Sequence, residues 1–248
     1  SDGNVTLVCL EHMLSSVRQI NALVAGKTLE PRWLSPELAR QQVDAGLMVW
    51  DFASDEYPDL VMAACGDYPT KETMAAIDIV KTHCPNAKIR CVNVSSLTTV
   101  GFGTLRRVAD QKFFDKVFTD DKPVIFNFHG YPQTVKSILF NYAVDSTRFD
   151  IRGYKEIGST TTPFDMHVRN ETSRYDLAIA AFRQLGRNGV VPFEEAEHLA
   201  SIYQGKIDEN TAYIKANGVD LPEIDAWVWP AARGLDEVKE EAWHGQTN

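Results

Sequence analysis

The sequence predicts an α/β protein, a three-layer α/β/α sandwich around a mainly parallel sheet. Three observations predict it. Strand-like runs alternate with amphipathic helix-like runs, the order in which crossover helices join parallel strands. Several strand-like runs, such as Leu60-Val61-Met62-Ala63-Ala64-Cys65, are apolar at successive positions, as expected of strands buried on both faces. The chain has 248 residues and 44% hydrophobic content, enough for a large core, and carries no internal repeat.

The elements follow in order. Val5, Leu7, Val8, Leu10, Met13, Leu14 and Val17 give a helical pattern over 4–17. Ile20, Ala22, Leu23, Val24 and Ala25 read as a buried strand ending at Gly26-Lys27. One helix and one strand cannot enclose a core, and Ser1-Asp2-Gly3 opens the chain without methionine. Residues 1–27 therefore read as the tail of a preceding domain, in a chain cut from a longer one. Residues 28–34, with Pro31 and Trp33, read as a linker. Ser35-Pro36-Glu37 is a helix start, a hydroxyl N-cap followed by proline at the first helical position, and the helix stops near Gly46.

Strands are expected at 47–52 and 59–66. Thr70 is placed to cap a helix over 71–83, which Pro85 ends. Residues 89–94 form the next strand, and 95–110, rich in hydroxyls and glycine, a long loop. Phe113, Phe114 and Val117 mark a short helix. The clearest strand and turn is Pro123-Val124-Ile125-Phe126-Asn127-Phe128-His129-Gly130. A helix over 133–142 and a strand over 148–154 follow. Helices are expected over 172–185 and 193–217, the second interrupted by Gly205. The tail from Trp227, with Trp229 and Trp243, has mixed polarity suited to a surface or an interface.

Composition narrows the function. The formal charge of −9 and the lack of a basic run with interleaved aromatics leave nucleic acid without support. No apolar run approaches membrane-spanning length. Cys9, Cys65, Cys84 and Cys91 form no Cys-x-x-Cys pair and no metal-ligand spacing, which reads as a reduced, cytoplasmic protein without a metal site.

Four features carry candidate chemistry, each beside a plainer structural reading. His129 stands at the carboxyl end of a strand, where open α/β sheets bind ligands; it also suits a histidine that holds its turn by hydrogen bonds. Cys65-Gly66-Asp67-Tyr68-Pro69-Thr70-Lys71 puts a glycine turn before a helix N-terminus, a potential anion site, but matches neither the Walker A nor the dinucleotide pattern. Lys27 follows a predicted strand at an inferred domain boundary, where a lysine binds phosphate or is simply solvated. Residues 152–170 hold Gly153, Gly158, four successive hydroxyls (Ser159, Thr160, Thr161, Thr162) and charges of both signs, including Arg152 and Lys155. They read as a ligand or interface loop, or as a long connection to a capped helix. The histidines His12, His83, His167, His198 and His244 show no ligand spacing, and no Gly-x-Ser-x-Gly occurs.

Three of these segments together carry a resemblance: Phe128-His129-Gly130-Tyr131-Pro132, Arg152-Gly153-Tyr154-Lys155-Glu156 and Ser159-Thr160-Thr161-Thr162-Pro163-Phe164-Asp165-Met166. With Val24-Ala25-Gly26-Lys27, Trp50-Asp51-Phe52-Ala53-Ser54 and Leu221-Pro222-Glu223-Ile224, they resemble the carboxyl-terminal part of phosphoketolases. The likeness extends to about residue 229. Ile157 stands where the family commonly has a second glutamate, and Ser159 where it commonly has threonine.

The resemblance implies a transketolase-like parent of three domains, with a fold here like the transketolase carboxyl-terminal domain. Residues 1–27 would end the pyrimidine-binding domain, 35–229 would form the carboxyl-terminal domain, and 230–248 a tail. The parent would use thiamine diphosphate with a divalent metal ion such as Mg2+, bound mainly by domains absent from this chain. With inorganic phosphate it would cleave xylulose 5-phosphate or fructose 6-phosphate to acetyl phosphate and an aldose phosphate, as a homodimer or higher homo-oligomer. Lys27 resembles the family lysine that contacts the substrate phosphate; the resemblance assigns no catalytic residue to this chain. The chain alone is expected to be inactive. An assembly or regulatory ligand-binding module is the alternative, and an independent small α/β enzyme using His129 a third reading.

Overall fold

The computed structural model describes residues 2–24, 31–101 and 109–230. Among them, five strands form one sheet in the order β1-β3-β2-β4-β5. The strands are β1 (Leu47–Val49), β2 (Leu60–Cys65), β3 (Ile89–Val94), β4 (Val124–Phe128) and β5 (Phe149–Arg152). β1 runs antiparallel to β3 at one edge, and every other pairing is parallel. The predicted mainly parallel sheet is therefore present.

Helices α3 (Asp67–His83), α4 (Gln111–Phe118) and α5 (Pro132–Leu139) connect successive parallel strands. The sheet has two apolar faces because the strands are apolar at consecutive positions. Leu60, Met62, Ile89, Cys91 and Ile125 pack with Met74, Ile77 and Val80 of α3 and with Leu177 and Phe182 of α7 (Arg174–Arg187). Val61, Ala63, Val92, Val124 and Phe126 face the other way, onto Phe114 and Val117 of α4 and Val135 and Ile138 of α5. These are the three layers of the sandwich.

A second helical layer lies outside α7. The helix α8 (Phe193–Asn217) packs along it and, with Phe164 of α6 (Pro163–Arg169) and Ile224 of α9 (Pro222–Ala226), closes a third apolar cluster. Neither α6 nor α9 was expected; seven and five residues are too short for periodicity to report. Gly205 does not interrupt α8, whose neighbouring turns keep their hydrogen bonds.

Local signals set the ends of several helices. In α2 (Pro36–Ala45), Ser35 accepts a hydrogen bond from the Leu38 amide, and Gly46 closes the helix at φ 77°. Thr70 is not the cap of α3, which begins three residues earlier, after Gly66. Its hydroxyl lies inside the first turn, donates to the Gly66 carbonyl at 2.5 Å and accepts from Asn93 Nδ2 at 2.9 Å. That contact joins a buried polar chain running through Asn93 and Gln42 to Trp50.

The amino-terminal segment departs from expectation. The helix α1 (Gly3–Ser15) forms, capped by the buried Asp2 carboxylate. One oxygen of Asp2 accepts from Asn4 and Val5 amides, the other from Trp33 and Leu34 amides, which fastens α1 to the segment before α2. Residues 16–24, however, form no strand, and Ile20 and Val24 are 103% and 92% exposed. A strand needs a neighbour to bond its backbone, and neither edge of the sheet reaches this segment. At the other end, Trp229 is buried against Phe52, and Trp227 donates to Asp78 at 3.0 Å. Trp243 and His244 lie outside the described residues.

Candidate functional site

Strand order alone marks one place in this sheet. From β2 the chain crosses to β3 on one side, then returns past β2 to β4 on the other. The crossovers diverge between β2 and β4, and the carboxyl ends of these two strands mark the place where open α/β sheets bind ligands in a crevice. Two loops meet there: Gly66-Asp67 after β2, and His129-Gly130 after β4.

Gly66 permits the meeting. Its φ is +118°, and a Cβ there would lie 2.5 Å from the Cβ of His129. The turn after β4 is held by its backbone: the His129 amide donates to the Cys65 carbonyl at 3.0 Å, and the Tyr154 amide to the Gly130 carbonyl at 2.8 Å. Gly153 is required for the second contact, since a Cβ there would stand 2.2 Å from the Gly130 oxygen.

The imidazole of His129 adds a side-chain contact between the two loops. Its Nδ1 donates to Asp67 Oδ1 at 3.1 Å, with side-chain exposures of 54% for His129 and 13% for Asp67. The bond to the carboxylate raises the His129 pKa, against the opposing effect of burial, and holds the Asp67 carboxyl well below the usual range. Asp67 also accepts from the Tyr68 amide at 2.8 Å. The anion site expected at the α3 N-terminus is therefore occupied from within, by the protein's own carboxylate.

A third segment enters from α6. The His167 ring stacks on Tyr68 with centroids 4.0 Å apart and planes within 2° of parallel. It lies 6.5 Å from the His129 ring. Burial lowers the His167 pKa to about 4. The Thr172 hydroxyl lies 2.8 Å from His167 Nδ1 and 3.2 Å from the His167 carbonyl, which also accepts from the Thr172 amide at 2.9 Å. This contact holds the neutral ring in one orientation. Below, Asn127 is fully buried and donates to the Pro69 and Thr172 carbonyls. Cys65 is no nucleophile, because burial pushes its thiol up to about 12.

The remaining predicted residues have other surroundings. Lys27 lies outside the described residues. Arg152 Nε donates to Asp150 at 3.0 Å and its Nη1 to the carbonyls of Glu171 and Asp176, clamping the end of β5 to the α6–α7 turn. Lys155 pairs with Glu171 at 2.6 Å. Thr160 is exposed. Thr161 donates to Asp165 at 2.7 Å. Thr162 caps α6, accepting from the Asp165 amide, and donates to Asp220 at 2.8 Å. The hydroxyl run therefore starts a short helix and ties it to the loop after α8.

Asp67 and His167 carried no separate assignment in sequence. The available signals were an acidic residue directly after the strand-ending glycine, and a histidine inside the 152–170 stretch. Among the described residues, no group of three or more His, Cys, Asp or Glu side chains could hold a metal ion. No described helix is long and apolar enough to cross a membrane.

Comparison with known proteins places the chain. Residues 27–229 match the family model described as the XFP C-terminal domain. A protein of Bradyrhizobium diazoefficiens named "Probable phosphoketolase" is 38% identical over 244 residues, covering 94% of this chain and 29% of that one. One of Rhodopseudomonas palustris strain TIE-1, with the same name, is 39% identical over 232 residues, covering 93% and 29%. Among solved structures, a transketolase variant of Pichia stipitis superposes with a TM-score of 0.48 at 12% identity, covering 75% of this chain and 24% of that one. The chain spans about three tenths of the length of the curated relatives it matches. With a family match running from residue 27 to residue 229, this chain belongs to the phosphoketolase carboxyl-terminal domain family.

Proposed function

We propose that this chain is the carboxyl-terminal part of a phosphoketolase, a carbon–carbon lyase that cleaves xylulose 5-phosphate or fructose 6-phosphate with inorganic phosphate. The products are acetyl phosphate and an aldose phosphate. The observation that carries this reading is the family match across 27–229 in a chain covering 29% of its relatives. Thiamine diphosphate and its divalent metal ion supply the electron sink for the cleavage in the parent. Among the described residues no group fits the metal, and this reading assigns the cofactor to the parent's other domains. Lys27, in Ala-Gly-Lys, holds the substrate phosphate by charge and so orients the sugar. The parent is a cytoplasmic homodimer or higher homo-oligomer.

In this reading residues 1–27 belong to the preceding domain, 28–34 to a linker, 35–229 to the carboxyl-terminal domain and 230–248 to a tail. The outer face of α1 supports the division. Leu7, Leu10 and Leu14, at helical spacing, are 57%, 38% and 86% exposed, while Val5 and Val8 face inward. A stripe of this kind is covered when the preceding domain is present. The same stripe favours a second reading, in which the chain serves mainly for assembly.

The test is acetyl phosphate formation from fructose 6-phosphate with thiamine diphosphate, Mg2+ and phosphate. The isolated chain is expected to give none, and the chain joined to the upstream domains to give turnover that Lys27→Ala reduces. Turnover by the isolated chain, or none by the joined one, overturns the proposal.

A further inference from the structure

We propose that the crevice outside the carboxyl ends of β2 and β4 binds a small oxyanion, a phosphate or carboxylate group, with His129 Nε2–H as the donor that meets it. The position is the topological switch point of the sheet. The geometry of His129 is the main observation. Backbone bonds hold its turn alongside the ring. The ring is held in one orientation, with Nδ1 committed to the nearly buried Asp67 carboxylate. That leaves Nε2, on a ring more than half exposed, without a hydrogen-bond partner among the described residues.

The surroundings suit an anion with an apolar body. The flat face of the Tyr68–His167 stack forms one wall. His167 is neutral, because burial lowers its pKa to about 4, so it does not compete as a second cation. The Lys71 ammonium stands 6.0 Å from the Tyr68 ring, adding a positive charge at the rim. The charge of Asp67 is already balanced by its pair with His129. Asn127, two residues before His129 on the same side of β4, donates to a carbonyl from each wall and leaves Oδ1 without a partner among the described residues. That buried acceptor has capacity for one more hydrogen, from a ligand or a water.

The proposed affinity depends on the charge of His129. Asp67 from α3 faces that ring at 3.1 Å and the His167 ring from α6 lies 6.5 Å away, with Tyr68 stacked on His167 and Lys71 6.0 Å from the Tyr68 ring. Asp67 keeps His129 protonated to higher pH than an isolated imidazole. Anion binding is therefore strong in mildly acidic solution and fades as His129 loses its proton.

Histidine NMR on the full chain tests this. Inorganic phosphate is titrated against the Cε1–H resonances at pH 6.0 and 8.5, with sodium chloride of matched ionic strength as reference and acetate in a parallel series. The expected result is a saturable shift of His129, absent for the exposed His12. Affinity should be about tenfold weaker at pH 8.5, the loss of one charge-assisted hydrogen bond. His129→Gln, with an unchanged circular dichroism spectrum, should abolish saturable binding. The acetate and phosphate series decide which oxyanion is preferred. The pH comparison needs no variant and so does not depend on how a variant folds. If His129 and His12 shift together, follow ionic strength alone, or bind equally at the two pH values, the proposal is wrong. The readout is binding to this chain, so it stands or falls apart from the reaction proposed above.

Discussion

Asp67 and Glu72 lie five residues apart on α3, and each holds a cation, but the two pairs serve different ends. Glu72 and Arg174 are 0% and 4% exposed. Arg174 Nε and Nη2 reach the two carboxylate oxygens at 2.9 and 2.7 Å, and its own amide adds a third bond at 2.8 Å. The guanidinium also lies over the rings of Phe164 and Trp227, at 5.6 and 5.4 Å. Both partners are enclosed, so this pair fixes how α7 and the carboxyl-terminal segment dock on α3 and is closed to a ligand. One and a half turns nearer the sheet's carboxyl end, Asp67 makes a single bond to a histidine that stays half exposed. The same chemistry builds a core where both partners are enclosed and a site where one is left open.

The largest expected effect breaks the core pair. Arg174→Ala leaves Glu72 charged and alone in the interior, and should cost about 3–5 kcal/mol, read as a lower denaturant midpoint. The double change Glu72→Leu with Arg174→Met should recover most of it, because apolar groups of similar volume need no partner. If the single change costs no more than a surface substitution, the distinction between the two pairs fails.

Next comes His167, which joins the regions by stacking on the first turn of α3. Its folded pKa lies near 4 and its unfolded value near 6.5. Between those values the unfolded chain binds the extra proton, so stability rises with pH across the window and is flat in this contribution above it. The difference should reach up to about 3 kcal/mol. His167→Gln should flatten the slope in urea unfolding followed from pH 4 to 7.

Gly66→Ala attacks the site from the backbone. A Cβ at φ +118° and 2.5 Å from His129 should cost about 2 kcal/mol and displace His129, seen as a fall of its pKa toward the ordinary value. The smallest effect belongs to the exposed pair. Asp67→Asn should cost less than about 1 kcal/mol at pH 6, since solvent screens a half-exposed histidine. The sign is set by the raised His129 pKa: this stability is fully present below the unfolded value and is lost as pH rises through the folded one. Unfolding of wild type and variant should therefore converge at alkaline pH.

How much of this was legible beforehand differs by residue. The limits of α8 and the start of α2 followed from periodicity and from Ser35-Pro36, since capping and amphipathicity act within a few residues. The strand expected at 20–25 does not form over its described residues, 20–24, because an apolar run reports a wish for burial and not the presence of a neighbour to bond. At the site, His129 stood out by its place after a strand, whereas Asp67, 62 residues earlier, did not. Arg152, Thr161 and Thr162 drew notice by their density of polar groups. In the structure those groups are engaged in clamping β5 and capping α6.

The sequence by itself determined that apolar strands alternate with helices, where several helices begin, and which family the chain resembles, because those properties reside in short windows of side chains. Tertiary structure alone decided which carboxylate meets which cation. Glu72 and Arg174 are 102 residues apart, and Asp67 and His129 meet only because β2 and β4 are neighbours with β3 on the far side of β2. Strand order is set by how crossovers pack on the two faces of the sheet. No local window encodes that order, so no local window could have placed a histidine opposite its aspartate.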